Sequence, residues 1–223
     1  MRPAGRAPGG AARPLLWCGA VAGPLFLGVA LLEGATRPRY DAVRLPISLL
    51  SLGDRGWVQV LNFLVDGLLL LAFAVGLSRT RSVRGRGSTW GPRLVGLVGV
   101  GVLGAGVFVA NPGDGYPPGT PQPVDATLHG ALHDLCSLVV FAALPAACLV
   151  LARAFRAEGE PNWARSSALT GALTLGGAVL LLVGFSGATA IADVAGLLQR
   201  VWVALGWGWV TLLALHRLRA APG

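Results

Sequence analysis

The chain has 223 residues, of which 54% are hydrophobic and only 13% charged, and its mean hydropathy is +0.65. This balance excludes a soluble globular domain, because too few polar side chains are available to cover a surface in water. The formal net charge of +8 comes from 18 basic residues, all of them arginines. These are scattered through short loops without a basic face or interleaved aromatics, which excludes a nucleic-acid partner.

Six apolar segments are long enough to cross a bilayer core, which takes about 20 helical residues. None shows the two-residue alternation of barrel strands, so helices must satisfy the backbone polar groups in hydrocarbon. We predict an all-α, polytopic membrane fold in which the first segment is a retained helix rather than a signal peptide. The six spans fall near residues 15–34, 57–77, 92–110, 129–151, 167–187 and 195–215, with tails at 1–14 and 216–223.

The arginines predict the orientation of these spans. Thirteen lie in the two tails and in the loops after the second and fourth segments, whereas the opposite side carries four, all in the first loop. The positive-inside rule then predicts cytoplasmic termini in a multi-pass protein of the bacterial plasma membrane. The three cysteines lie within apolar segments without CxxC spacing, so they indicate neither a disulfide framework nor a thiolate metal site.

Glycine recurs through the third segment and indicates close helix packing. Small residues allow neighbouring backbones to approach one another in a membrane. We therefore expect this helix inside the bundle. The glycines concerned are Gly96, Gly99, Gly101, Gly104 and Gly106.

Polar side chains concentrate toward the predicted outer half of the membrane and suggest a polar cavity there. Asp66 is the deepest, at about 13 Å from Trp57 along the helix, so it needs a partner or must be neutral. Arg200 is the one cation inside a predicted span at a comparable side of the bilayer, and we predict an Asp66–Arg200 pair; a proton-linked or substrate-contacting carboxylate is the alternative. The candidate cavity residues are Asp41, Ser48, Ser51, Gln59, Asn62, Asp66, Asp134 and Arg200.

Two histidines one helical turn apart open the fourth segment. On a continuous helix Asp125, His129 and His133 would form one stripe, and histidines at i and i+4 can converge on a metal such as zinc. A third ligand would be Asp125 or Asp41 of the first loop. The alternatives are that these histidines hydrogen-bond at a wet helix end or respond to pH.

The first loop, residues 37–56, is long and mixes hydroxyls with leucines in "PISLLSLG". One interpretation is an amphipathic piece lying at the membrane interface. The other is a lid over the polar outer half. In that case Asp41, Ser48, Ser51, Asp54 and Gln59 would supply groups to the cavity.

The combination of "YDAVRLPISLLSLGDRGWVQVLNF" with "LHGALHDLCS" resembles the bacterial membrane family known as domain of unknown function 998. The resemblance runs over roughly residues 15–215 and implies a polytopic helical membrane protein without an established activity. Its most specific residues are Asp41, Ser48, Ser51, Gly53, Gly56, Trp57, Gln59, Asn62, His129, Gly130, His133 and Asp134.

Three functions follow from these patterns. The leading one is a non-enzymatic membrane protein whose outer polar cavity binds a lipid or small molecule, or which supports a partner protein. The sequence is also compatible with a homo-oligomer. The second is a metal-dependent hydrolase of lipid amides or esters, built on His129, His133 and Asp41. A looser similarity to the alkaline ceramidase and progestin-receptor-like superfamily suggests it, although that superfamily has seven helices and a third histidine on the same side. The third is a secondary transporter.

Overall fold

The computed structural model of the protein describes residues 12–80, 88–121, 124–187 and 190–220. It confirms the all-α prediction: the described residues contain no strand and six helices long and apolar enough to cross a membrane. These are α1 (Ala12–Thr36), α2 (Gly56–Arg79), α3 (Trp90–Val107), α4 (Leu128–Glu158), α5 (Pro161–Phe185) and α6 (Ala195–Ala220). The distal parts of the predicted tails lie outside the described residues, as does much of the arginine-rich loop between α2 and α3.

The six helices form a closed ring in which each packs against its two neighbours in the chain and α1 packs against α6. Neighbours run antiparallel. Gly19 and Phe26 of α1, for example, meet Phe73 and Phe63 of α2 in reverse order. Both described chain ends therefore lie at one end of the ring, the terminal end. The opposite end, which carries the first loop, is called the loop end.

The third helix is a member of this ring and does not lie inside it, contrary to the expectation from its glycines. Its outward face exposes Leu97, Val100 and Val107. Instead, the glycines lie at the contacts of α3 with its two neighbours in the ring, α2 and α4. Gly99 packs against Gly67 and Leu71 of α2, and Gly101 packs against Cys136 and Val140 of α4. Small residues on both sides of a helix allow close packing with two neighbours at once.

Two helices extend well beyond the predicted spans at the terminal end. The fourth runs to Glu158 and ends at Gly159, whose left-handed backbone (φ 84°) closes the helix. The fifth begins at Pro161, where the missing amide hydrogen of proline costs no helical hydrogen bond. The spans predicted from hydropathy are shorter than the helices, because the segments "ARAFRAE" and "NWARSS" are polar but still helical. The consequence is a short, charged α4–α5 turn at the membrane surface.

Candidate functional site

The first loop folds back onto the loop end of the ring as a short 3-10 helix, Ile47–Ser51, here called the loop helix. Ile47, Leu49 and Leu50 are buried against the bundle. The purely interfacial interpretation of this segment therefore does not describe it. Ser48, between those apolar residues, lines the cavities described below.

On one side the loop is held by a buried acidic group at the end of α1. The Glu33 carboxylate is 3% exposed and forms ion pairs with Arg37 (2.6 Å) and Arg55. Arg37 in turn donates to the carbonyl oxygens of Leu52 (2.8 Å) and Leu50 (3.2 Å). A buried charge is tolerated only where pairing and hydrogen bonds replace its hydration. Glu33 thus links the end of α1 to both sides of the loop helix.

On the other side the loop is held by the start of α6. The amides of Gly196 and Leu197 donate to the carbonyls of Arg44 (3.0 Å) and Val43 (2.8 Å). These first-turn amides have no partner within their own helix, so the loop satisfies them. The Gln199 side-chain oxygen accepts from the Ile47 amide at 2.7 Å. Both ends of the loop helix are therefore attached to different helices of the ring.

Arg200 completes this attachment, and its partners show that the predicted Asp66–Arg200 pair is wrong. Its guanidinium donates to the Tyr40 hydroxyl (2.8 Å) and to the carbonyls of Leu45 (3.0 Å) and Gly196 (2.9 Å). The guanidinium carbon also lies 5.6 Å from the centre of the Tyr40 ring. Carbonyl dipoles and an aromatic face therefore stabilise this buried cation without a carboxylate. Burial raises the pKa of the Tyr40 phenol, and the Arg200 charge beside it opposes that shift.

Asp66 has a different partner, on the same helix as Arg200 but two turns further along. The indole nitrogen of Trp207 donates to its Oδ2 at 2.8 Å, while Oδ1 has no hydrogen-bond partner among the described residues. Gln59 and Asn62 continue the same buried stripe of α2. Asn62 donates to the Phe26 carbonyl (3.1 Å) and to the Gln59 side chain (3.4 Å). The stripe connects α2 to α1 and α6 inside the ring.

A cavity of about 400 Å³ opens at the loop end, between the loop helix, the α3–α4 loop and the ends of α4, α5 and α6. This rim cavity falls within the size range of small-molecule sites, about 300–1,000 Å³. Its polar lining residues are Ser48, Asn111, Asp114, His133, Asp134, Ser137 and Gln199. Its apolar lining includes Leu49, Leu138, Phe141, Leu182 and Phe185. Its lining is therefore amphipathic.

A second, deeper cavity of about 50 Å³ adjoins the first within the ring. The two share Ser48, His133, Ser137, Phe141 and Gln199 in their walls. Below these residues the lining becomes aromatic and aliphatic, including Phe26, Phe63, Trp202 and Trp207. A polar rim thus leads into an apolar interior. Trp207, which lines this interior, also donates the hydrogen bond to Asp66.

His133 presents a defined hydrogen-bonding group to these cavities. Its Nδ1 lies 2.8 Å from the Phe108 carbonyl and 3.0 Å from the Ala105 carbonyl, at the end of α3. Carbonyl oxygens only accept, so Nδ1 carries a hydrogen, and in the corresponding neutral tautomer Nε2 is an acceptor. Nε2, the Ser48 and Ser137 hydroxyls and the Asp134 carboxylate have no hydrogen-bond partner among the described residues. These groups are available to a ligand.

The three candidate metal ligands do not come together. Asp41 is exposed and accepts from the amides of Val43 (2.9 Å) and Arg44 (3.4 Å), which closes a local turn. His129 is exposed and meets the Phe108 ring edge-on. Asp125 precedes Thr127, the cap of α4, so the predicted helical stripe does not reach it. Within the described ranges, no three His, Cys, Asp or Glu side chains lie close enough to hold a metal.

The candidate cavity residues therefore separate into groups with different roles. Ser48 and Asp134 line the rim cavity, Gln59, Asn62 and Asp66 form the buried stripe, and Arg200 holds the loop. Ser51 bonds the Ser48 carbonyl, within the loop helix. Ser137 also lines the rim cavity and was not predicted, although its i+4 spacing from His133 places both on one face of α4. Tyr40, Arg37 and Trp207 were also missed, because nothing in their local sequence indicates a distant partner.

The chain is similar to a described protein family. A family model described as "Protein of unknown function (DUF998)" matches residues 20–216. The match begins within α1, ends within α6 and includes the four helices between them and the first loop. No curated protein and no solved structure matches the chain.

Proposed function

The chain belongs to the DUF998 family of proteins of unknown function, and from that premise we propose that it binds a single-chain amphiphile in the rim cavity. The observation that carries this proposal is the amphipathic lining of the cavity. Hydrogen-bonding groups without an internal partner line it together with apolar side chains, some of which are exposed. A headgroup would bind the hydrogen-bonding groups and an acyl chain would contact the apolar side chains.

The apolar lining supports entry from the membrane. Leu138, Leu182 and Phe185 line the cavity and are 47%, 50% and 38% exposed. In a membrane, that exposed surface faces lipid tails. An acyl chain that enters between these three residues would next contact Phe141 and then reach the deeper aromatic cavity. Burial of apolar surface there favours a chain over a purely polar ligand.

The polar side supports a neutral or positively charged headgroup that donates hydrogen bonds. Two carboxylates, Asp114 and Asp134, line the cavity, and no arginine does. On the loop side, the Asp114 carboxylate forms an ion pair with the exposed Arg44 at 4.0 Å. An anionic headgroup would meet repulsion, whereas a glycerol or amine would donate to the carboxylates and to Nε2 of His133. By the positive-inside rule this cavity opens to the outer side of the membrane.

Native mass spectrometry of the full chain in mild detergent tests the proposal, with monooleoylglycerol as the probe. We expect saturable one-to-one binding to the wild type and at least about tenfold weaker binding to a Ser48→Leu, Ser137→Leu variant. That variant fills the polar wall and removes two hydrogen bonds worth about 1 kcal/mol each. Ser166→Leu is the matched control, because Ser166 is exposed on α5 and outside the cavity. Oleate should bind more weakly than monooleoylglycerol.

Two results would contradict the proposal. One is equal monooleoylglycerol binding by the wild type and the double variant. The other is an equal loss of binding in the Ser166→Leu control, which would indicate general adsorption to the apolar surface. Retention time on size exclusion shows whether each variant keeps the wild-type fold.

A further inference from the structure

A second cleft lies at the opposite, terminal end of the ring, between the last turns of α4 and the first turns of α5. It has a volume of about 300 Å³ and is lined by three arginines and by small apolar residues. We call it the basic cleft, defined by Arg153, Arg156 and Arg165 with Leu149, Ala164 and Ala168. We propose that it binds the headgroup of an anionic phospholipid, with one acyl chain along its apolar wall.

The charge of the cleft is not neutralised by the protein. No ion pair or side-chain hydrogen bond to any of these three arginines occurs in the described part of the chain. The acidic residues of the α4–α5 turn are engaged elsewhere, on the α6 side. Glu158 pairs with Arg217 at 3.2 Å, and Glu160 lies 2.7 Å from Nε2 of His216. The two carboxylates closest in sequence are thus bound by α6, and the arginines keep their charge for a ligand.

The shape of the cleft favours a lipid over a soluble anion. Arg153, Arg156 and Arg165 are exposed near the helix ends, whereas Leu149 and Ala168 extend the wall along α4 and α5 in the direction of the bilayer. A phosphodiester at the membrane surface would meet the guanidinium groups there, which bind phosphate through paired N–H donors. The first turn of α5 lines the same cleft and adds the partial positive charge of a helix start.

The position of the cleft agrees with the distribution of charge along the chain. It lies at the end that the positive-inside rule assigns to the cytoplasm, where anionic lipids attract basic groups at about 1 kcal/mol per arginine. Basic pockets between transmembrane helices on that side are suited to anionic headgroups. The basic cleft and the rim cavity are at opposite ends of the molecule, so this inference stands independently of the proposed function.

The test is native mass spectrometry of the full chain with dioleoylphosphatidylglycerol and, separately, dioleoylphosphatidylcholine. We expect the wild type to prefer the anionic lipid and Arg153→Gln, Arg156→Gln, Arg165→Gln to weaken its binding at least about tenfold. The matched control makes the same arginine-to-glutamine change at Arg79, Arg93 and Arg219, which carry the same charge at the same end of the ring but lie outside the cleft. This control should retain binding within about twofold.

A second variant keeps every charge and changes only the shape. Ala168→Phe places a ring in the apolar wall and should also weaken phosphatidylglycerol binding. The proposal is overturned if both triple variants lose affinity equally, since bulk charge would then explain the binding. It is also overturned if the wild type shows no preference for the anionic lipid. Displacement of the lipid by millimolar glycerol phosphate would overturn it too, because the cleft would then recognise a soluble phosphate.

Discussion

Trp207 of α6 donates the hydrogen of its indole nitrogen to Oδ2 of Asp66 on α2, across 2.8 Å in the interior of the ring. The two helices are joined through α1, which packs against both. Phe26 of α1 stacks on the same Trp207 ring, with centroids 5.5 Å apart. One side chain therefore connects three helices and forms the floor of the deep cavity. This contact leads to the first prediction.

Trp207→Phe should lower the free energy of unfolding by about 3 kcal/mol, because it leaves the buried Asp66 carboxyl without a hydrogen-bond partner. Trp209→Phe is the matched control: it removes the same indole, but its partner is the Ser167 hydroxyl at 3.0 Å, and about 1 kcal/mol should be lost. Unfolding in mixed detergent, followed by circular dichroism, measures both. In a double-mutant cycle with Asp66→Leu, a coupling energy near zero would show that the bond contributes nothing.

The second prediction concerns the attachment of the loop helix. Arg200→Gln removes donors to Tyr40 and to the Leu45 carbonyl, so the loop should open more often. We expect the amides of Ile47 and Leu49 to exchange hydrogen at least about tenfold faster, since about 1.4 kcal/mol less is needed for opening. Arg217→Gln, which breaks the pair with Glu158 at the terminal end, should leave these amides unchanged. Unaltered exchange in Arg200→Gln would contradict the role assigned to this residue.

The third prediction concerns Tyr40 and the loss of stability at alkaline pH. Burial raises its pKa above the usual 10.0, so the folded protein holds the phenol proton more tightly than the unfolded chain does. The contribution to stability is therefore complete below pH 10 and is lost as the pH rises through the raised pKa. Tyr40→Phe should flatten this alkaline part of the stability profile, measured as melting temperature from pH 8 to 11.5. If the melting temperature of Tyr40→Phe declines as steeply with pH as that of the wild type, a group other than Tyr40 causes the decline.

The fourth prediction concerns the close approach of α2 and α3. A methyl group on Gly67 would lie 2.6 Å from Cγ of Leu103 and 2.8 Å from the Gly99 carbonyl oxygen. Gly67→Ala should thus push the helices apart and cost about 1–3 kcal/mol. Gly28→Ala on α1 is the control, because no atom beyond its chain neighbours and the adjacent backbone of its own helix lies within 4 Å of the added methyl. Equal melting temperatures for the two variants would disprove the packing argument.

The fifth prediction separates the two histidines of α4. His129→Ala should leave both metal content and monooleoylglycerol binding unchanged, since His129 is exposed and does not line either cavity. His133→Ala should weaken monooleoylglycerol binding by about fivefold through loss of one acceptor. Elemental mass spectrometry of the purified protein measures the first quantity. Near-stoichiometric zinc that disappears in both variants would make the metal-dependent hydrolase the leading function.

The interior contacts show which features of the fold the sequence does not predict. The depth of Asp66 followed from the helical rise, and the need for a partner followed from its burial in hydrocarbon. The partner itself did not follow, because depth leaves the rotation of each helix about its axis undetermined. Arg200 faces the first loop and Trp207 faces Asp66, although both belong to α6. The metal triad failed for the same reason: spacing along α4 says nothing of where Asp41 lies.

The six spans, the all-α class and the family were determined by the sequence alone, because the bilayer acts on each segment separately and its length and polarity can be read from the chain. Close helix packing through glycine was likewise readable. The tertiary structure decided which polar groups meet, that the helices close into a ring, and that the loop helix covers its end. Those outcomes depend on the mutual rotation of six helices, which no single segment encodes. The amphipathic rim cavity and the basic cleft exist only through that arrangement.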